Sequence, residues 1–182
     1  SATNGFFYSI VDVKYNNDQG RVIQKNVQLR NDTLADCVSV VRHGNGRDWW
    51  VFVRTVSAYT ARNDITGYLV TPNGVFAQNT QYVGPAVLYS SFKRTKFNID
   101  GSHIYLVDPI GYIERFDFDR CTGLFSNRTI YSTINGPYLR FWDFEISPDE
   151  TKLYAVRTME GPQQDSSILM QFELDTSTFI SS

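Results

Sequence analysis

One hairpin occurs twice in this chain, and that repetition restricts the folds open to it. Phe97-Asn98-Ile99-Asp100-Gly101-Ser102-His103-Ile104-Tyr105-Leu106-Val107 resembles Phe144-Glu145-Ile146-Ser147-Pro148-Asp149-Glu150-Thr151-Lys152-Leu153-Tyr154-Ala155-Val156, with two residues added in the second turn. Each reads as strand, turn, strand. The strands that follow also match, Glu114-Arg115-Phe116-Asp117-Phe118-Asp119 against Met170-Gln171-Phe172-Glu173-Leu174-Asp175. Gly84-Pro85 and Gly136-Pro137 precede the two hairpins at a spacing of 52 residues. A period near 50 that contains four strands is the period of a propeller blade.

The rest of the chain reads the same way. Phe6–Val13, Val38–His43, Trp49–Val56, Tyr68–Val70, Ile104–Val107, Ile113–Phe118 and Leu153–Val156 are short, β-branched or aromatic runs. Turn residues separate them at Asn16–Gly20, Gly44–Gly46, Pro72–Gly74, Asp100-Gly101, Thr122-Gly123 and Ser147–Asp149, a pattern of antiparallel all-β structure without a convincing helix. The expectation is an all-β, open β-propeller fragment of about three to four four-stranded antiparallel blades. Its parts would be two outer strands within 5–31, a blade over 37–83, another over 95–133 and an incomplete one over 142–182, where a fourth strand would begin at Phe179.

Composition narrows the function classes. Of 182 residues 42% are apolar and 15% aromatic, enough to build a core and to disfavour disorder. Seventeen basic against 19 acidic side chains give a net charge of −2, so nucleic acid is not an expected partner. No apolar run reaches the length of a membrane span. Cys37 and Cys121 lie 84 residues apart outside any CxxC, and His43 and His103 lie 60 apart, so a zinc site is not expected; no cofactor is expected either. Four-strand blade topology places these cysteines on opposite rims, too far apart to bond.

Three motifs resemble one family. Val41–Val51, which contains Arg-His-Gly-Asn-Gly-Arg-Asp-Trp-Trp, looks like a hairpin of the propeller-like, WD-repeat-like regions in secreted Bacteroidota-type proteins exported by type IX secretion. Phe116–Gly123 resembles a turn of the same proteins, and Phe144–Tyr154 resembles a hairpin shared by many propellers. The resemblance implies a secreted or cell-surface protein whose propeller presents loops for adhesion or protein binding. It brings no catalytic residue with it.

Candidate sites follow from placement. The stretches 84–94 and 136–142 would lead into successive blades on one rim, offering Tyr89, Phe92, Arg94, Tyr138, Arg140 and Trp142 to a glycan or a surface protein. The opposite face would carry Arg47, Asp48 and Arg120 at hairpin turns. Gly44-Asn45-Gly46 supplies the tight turn beneath Arg47 and Asp48, with Trp49 and Trp50 on opposite strand faces. Acidic turns at Asn16–Asp18, Asp117/Asp119 and Asp143/Asp149 lack the spacing of an EF-hand and read as solvated turn carboxylates. No G-x-S-x-G elbow accompanies a Ser-His-Asp set. Thr33, in Asp32-Thr33-Leu34, is a glycosylation candidate, and Asn31 and Asn127 fit the N-linked pattern. The expected function is therefore a non-catalytic scaffold for protein or glycan interaction. Its partners would include the rest of the propeller or another chain completing the blades, and the alternative is part of a propeller hydrolase or lyase acting on glycans.

Overall fold

The computed structural model describes residues 5–56, 62–85, 94–108, 112–133, 139–159 and 166–174. They form four antiparallel sheets in chain order, all of them open meanders. The first pairs β1 (Phe6–Asp12) with β2 (Arg21–Arg30). The second runs β3 (Leu34–Arg42), β4 (Trp49–Thr55), β5 (Arg62–Thr71), β6 (Gly74–Pro85). The third runs β7 (Arg94–Phe97), β8 (His103–Val107), β9 (Tyr112–Asp119), β10 (Leu124–Thr133). The fourth holds β11 (Leu139–Ile146), β12 (Lys152–Met159) and β13 (Ser166–Glu173). Between β1 and β2, one turn of helix at Tyr15–Asp18 contains left-handed backbone at Asn16 and Asn17, a conformation that asparagine tolerates.

Period-2 alternation gives each inner sheet two buried faces, and the sheets stack in series on three successive cores. Leu34, Val53 and Tyr68 meet Phe6 and Leu29 of the two-stranded sheet. The opposite face of the second sheet sets Trp50 and Phe52 against Ile104, Leu106, Phe116 and Phe118. Phe52 has the rings of Phe97, Phe118 and Phe125 with centroids 5.1–5.7 Å away, and Gly67 opposite leaves room for it. The third core joins Tyr105, Val107 and Ile113 to Phe141, Phe144, Leu153 and Ala155. Next to the second core, the first strands β3 and β7 touch, as do the last strands β6 and β10; β11 in turn lies against β7 and β8.

Each of the three larger sheets opens with the same six-residue turn. In His43–Asp48, Asn98–His103 and Ser147–Lys152 the first residue's N–H donates to the sixth residue's carbonyl at 2.9, 3.1 and 2.9 Å. The fourth residue's N–H donates back to the first carbonyl at 2.9, 3.1 and 2.9 Å. The third residue, Asn45, Asp100 or Asp149, accepts through Oδ1 from the backbone N–H two residues on. The fourth, Gly46, Gly101 or Glu150, has φ of 72, 75 or 55°. Asn98 is thus equivalent to Ser147, and Phe97 to Ile146, because Phe97 pairs with Ile104 and Ile146 with Leu153. The two turns are equal in length, which corrects the expectation of two added residues. The strands after them keep their expected match: Phe118 N–H donates to Ser102 O at 2.7 Å as Leu174 N–H does to Thr151 O at 2.8 Å.

Two strands reach into stretches expected to lead into the blades as loops. Gly84-Pro85 ends β6, where Pro85 pairs with Arg62, instead of opening a loop. Likewise β11 begins at Leu139, so Arg140 and Trp142 are strand residues. The physical reason is the apolar pattern Phe141, Phe144, Ile146 on the core side, with a register shift between Phe141 and Asp143 that absorbs Trp142.

Candidate functional site

The hairpin turns of the second and third sheets meet at one end of the molecule, and the β9–β10 turn is wedged between them. Asp119 caps that turn by accepting the Cys121 N–H at 2.8 Å, and Gly123 closes it with φ of 75°. Arg120 O accepts Gly44 N–H and the Trp50 indole N–H, both at 2.9 Å. The Arg120 guanidinium reaches the other way, donating to Arg42 O at 3.0 Å and Asp100 O at 2.7 Å. One side chain therefore staples two turns from different sheets.

Beside this staple lies a groove of about 600 Å³ between β3 and β7. Val38–Arg42 and Trp49 form one wall, Thr95–Gly101 the other, and Arg120 closes one end. Val38, Val40, Trp49 and Ile99 are exposed there, Ile99 at 88%. Arg42 lies over the Trp49 ring, 5.3 Å from its centroid. Among the described residues neither Arg42 nor Arg120 has a carboxylate partner. Lys96 is committed to the fourth sheet, at 2.7 Å from Glu145 and 3.6 Å from Asp143. Asp100 is engaged within its own turn: bonds from Ser102, then from Asn98, hold its carboxyl below the usual range.

Of the residues expected on this face, Arg120 lines the groove, whereas Arg47 and Asp48 close on each other at 2.8 Å. The Asp48 side chain is 6% exposed and its carboxyl is held at about 2, first by the Arg47 hydrogen bond and then by the Asn45 amide. On the opposite rim, Tyr89, Phe92 and Tyr138 lie outside the described residues. Arg94 opens β7 and donates to Asp36 O at 3.0 Å. Trp142 bonds through its indole N–H to Thr158 across β11 and β12. Arg140 takes its place in β11, opposite Thr158. Thr33 is half-buried, with its carbonyl accepting from Val56 at 3.1 Å. Asn127 bonds through its side chain to Asp117 at 2.8 Å. Cys37 sits on β3 beside Thr95 and Cys121 in the β9–β10 turn against Gly44, both as free thiols.

Two polar clusters escaped the sequence reading because their members lie far apart in the chain. Glu150 accepts from Tyr105 Oη at 3.0 Å and from Asn98, and lies 2.9 Å from His103 Nδ1. Asp117 flanks His103 Nε2 at 3.5 Å. Ser102 Oγ is 3.3 Å from the same Nδ1, which Glu150 holds more closely, so the arrangement latches two sheets together. At the other end of the strands Arg54 and Asp108 form an ion pair at 3.0 Å, with side chains 0 and 2% exposed. Nearby, Glu114 is paired with Arg128, and burial raises its carboxyl despite that partner. No group of three or more His, Cys, Asp or Glu is placed to hold a metal among the described residues, and no helix there is long and apolar enough to cross a membrane. Comparisons with protein-family models, curated proteins and solved structures return no match for this chain.

Proposed function

We propose that this chain is part of a β-propeller that serves as a non-catalytic interaction scaffold of a secreted or cell-surface protein. The observation that carries the proposal is the six-residue turn repeated with the same hydrogen bonds at the head of three successive sheets. Repeat architectures are built from such units. The series of shared cores, with first strand against first strand and last against last, supports the blade reading. Further strands, from the same polypeptide or another, would extend the two- and three-stranded sheets to four. The resemblance of Val41–Val51 and Phe116–Gly123 supports the secreted or surface location.

The groove between β3 and β7 is the interaction site in this reading. An exposed Trp under a stacked Arg, beside a second Arg, combines the residue types that dominate binding energy. Its one carboxylate among the described residues, Asp100, accepts two bonds at Oδ1 from its own turn, which favours recognition over proton transfer as the groove's chemistry. The test is binding of the protein and of its Arg42→Ala/Trp49→Ala variant to a glycan array and a panel of surface proteins, with melting as the folding control. Loss of binding by a folded variant supports the scaffold; unchanged binding overturns the groove as its site, and cleavage of any array glycan overturns the non-catalytic reading.

A further inference from the structure

Among the described residues, the β3 wall of the groove is an unpaired strand edge. β3 pairs with β4 on one side only, in the register Arg42↔Trp49, Val41↔Trp50, Val40↔Val51, Ser39↔Phe52, Val38↔Val53. His43 N–H bonds to Asp48 O, so Val41 and Ser39 form the inward-bonding pairs, and the N–H and C=O groups of Arg42, Val40 and Val38 face outward. One side-chain contact agrees with this phase, Arg120 donating to Arg42 O; at the other end, within the register shift between Leu34 and Val38, Arg94 donates to Asp36 O. Between these two clamps, nothing among the described residues bonds to the backbone of Val38 or Val40.

Resting on the scaffold reading above, we infer that this groove binds an extended peptide segment, which adds to β3 as a further strand and places an acidic side chain against Arg42 and Arg120. Three features specify such a partner. Backbone groups at Val38 and Val40 accept a strand of about four residues, which at roughly 3.3 Å per residue fits within the six-residue span of about 20 Å between the Asp36 and Arg42 carbonyls. Val38, Val40 and Trp49 offer apolar surface to alternate side chains of that strand. Arg42 and Arg120, neither with a carboxylate partner among the described residues, are joined at this end through the Arg120 bond to Arg42 O, so the acidic residue belongs there.

The experiment uses fluorescence polarisation with eight-residue peptides of alternating valine and threonine carrying two aspartates at either end, and the same peptides carrying lysines. The expected result is binding of an aspartate probe, at least about tenfold weaker with lysines or after Arg42→Ala. N-methylation of alternate amides weakens binding about tenfold or more in one register, equivalent to one or two hydrogen bonds, and leaves it unchanged in the other. Val40→Pro removes an outward N–H at an edge position that tolerates proline, and abolishes probe binding without shifting the melt. The methylated probes test the same point without altering the protein. Absence of binding by every probe, or equal binding in both N-methyl registers, overturns strand addition. If the Arg42→Ala/Trp49→Ala variant nevertheless loses a panel partner, the groove remains a site and only the peptide assignment fails. An oligogalacturonate that displaces the aspartate probe completely and binds more tightly than it also overturns the assignment, in favour of an acidic glycan.

Discussion

The turns Asn98–His103 and Ser147–Lys152 share one backbone and differ most at their fourth position, where one carries Gly101 and the other Glu150. Both residues have positive φ, which suits glycine and strains a residue with a side chain. What lies across each turn accounts for the choice. A Cβ on Gly101 would stand 2.5 Å from Val41 Cγ2 and 3.2 Å from Arg120 Cδ, so this turn must be bare for the second and third sheets to close. Glu150 faces the third sheet, where Asn98, His103 and Tyr105 present groups that its carboxylate joins. One turn is fitted to its neighbour by omission, the other by a strained residue that reaches across.

The sharpest way to break this comparison is Gly101→Ala set beside Gly46→Ala. Both glycines occupy the same turn position with nearly the same φ, yet nothing lies within 4 Å of a Cβ at Gly46. Gly46→Ala should therefore show the backbone strain alone, about 1–2 kcal/mol. Gly101→Ala adds overpacking against a stiff, buried Val41 and should lose about 2–5 kcal/mol in all. Equal losses in denaturant titrations would mean that the turn, and not the sheet contact, dictates glycine at 101.

Glu150 gives the next largest effect. Glu150→Ala keeps the strained backbone and removes the acceptor from the Tyr105 hydroxyl of a side chain that is 0% exposed, for an expected loss of about 2–3 kcal/mol. Glu150→Gly relieves the strain and should be less destabilising than Glu150→Ala by about 1 kcal/mol. The reverse order would show that φ at this position carries little strain.

These turns also mark what could be read from the sequence. Alternation and turn residues revealed the meander, and the hairpin pair exposed a repeat, since Phe116–Phe118 and Phe172–Leu174 keep their side chains on equivalent faces. Matching Phe97 to Phe144 misplaced the turn by two residues, because aromatic identity outweighed the backbone pattern. The true equivalence rests on an Asp two residues before Ser or Thr and on a positive φ that Glu150 conceals. The third copy, His43–Asp48, shares Asx-Gly with Asn98–His103 but only the Asx residue and a left-handed position with Ser147–Lys152, so hydrogen bonds reveal the threefold equivalence and letters do not. Of the candidate site, Arg120 was legible as a turn residue. Its role as a staple was not, since it depends on carbonyls at Arg42 and Asp100 that only packing brings together.

Acid should separate the turns further. Asp48 titrates at about 2 when folded, held down by Arg47 and then Asn45; Asp100, Asp119 and Asp149 are also lowered, by Ser102, by Cys121 N–H and by Ser147 respectively. A carboxyl whose folded value lies below its unfolded one, near 3.8, binds fewer protons in the folded state, so stability rises with pH in that interval. The contribution is fully present above about pH 4 and declines as pH falls toward 2. Melting midpoints measured across that range should fall less steeply for Asp48→Asn than for the unaltered protein. A matching slope would place the acid sensitivity in the other three turns.

The smallest effect belongs to the sixth turn position, occupied by Asp48, His103 and Lys152. Asp48 pairs inside its own turn, His103 lies between Glu150 and Asp117 at a sheet junction, and Lys152 reaches Glu173 on the next strand of its own sheet at 3.1 Å. The Lys152 pair is exposed, and its mutual pKa shifts, lysine up and glutamate down, arise from a hydrogen bond that water screens. Lys152→Met should leave the melting midpoint unchanged within error at physiological salt, whereas His103→Leu, which removes a polar link between two sheets, should lower it. Because both residues complete the same backbone turn, the contrast isolates the side chain's reach from the turn's geometry. A loss with Lys152→Met as large as that with His103→Leu would show that the sixth position matters to the turn itself, and that the difference between the two junctions lies elsewhere.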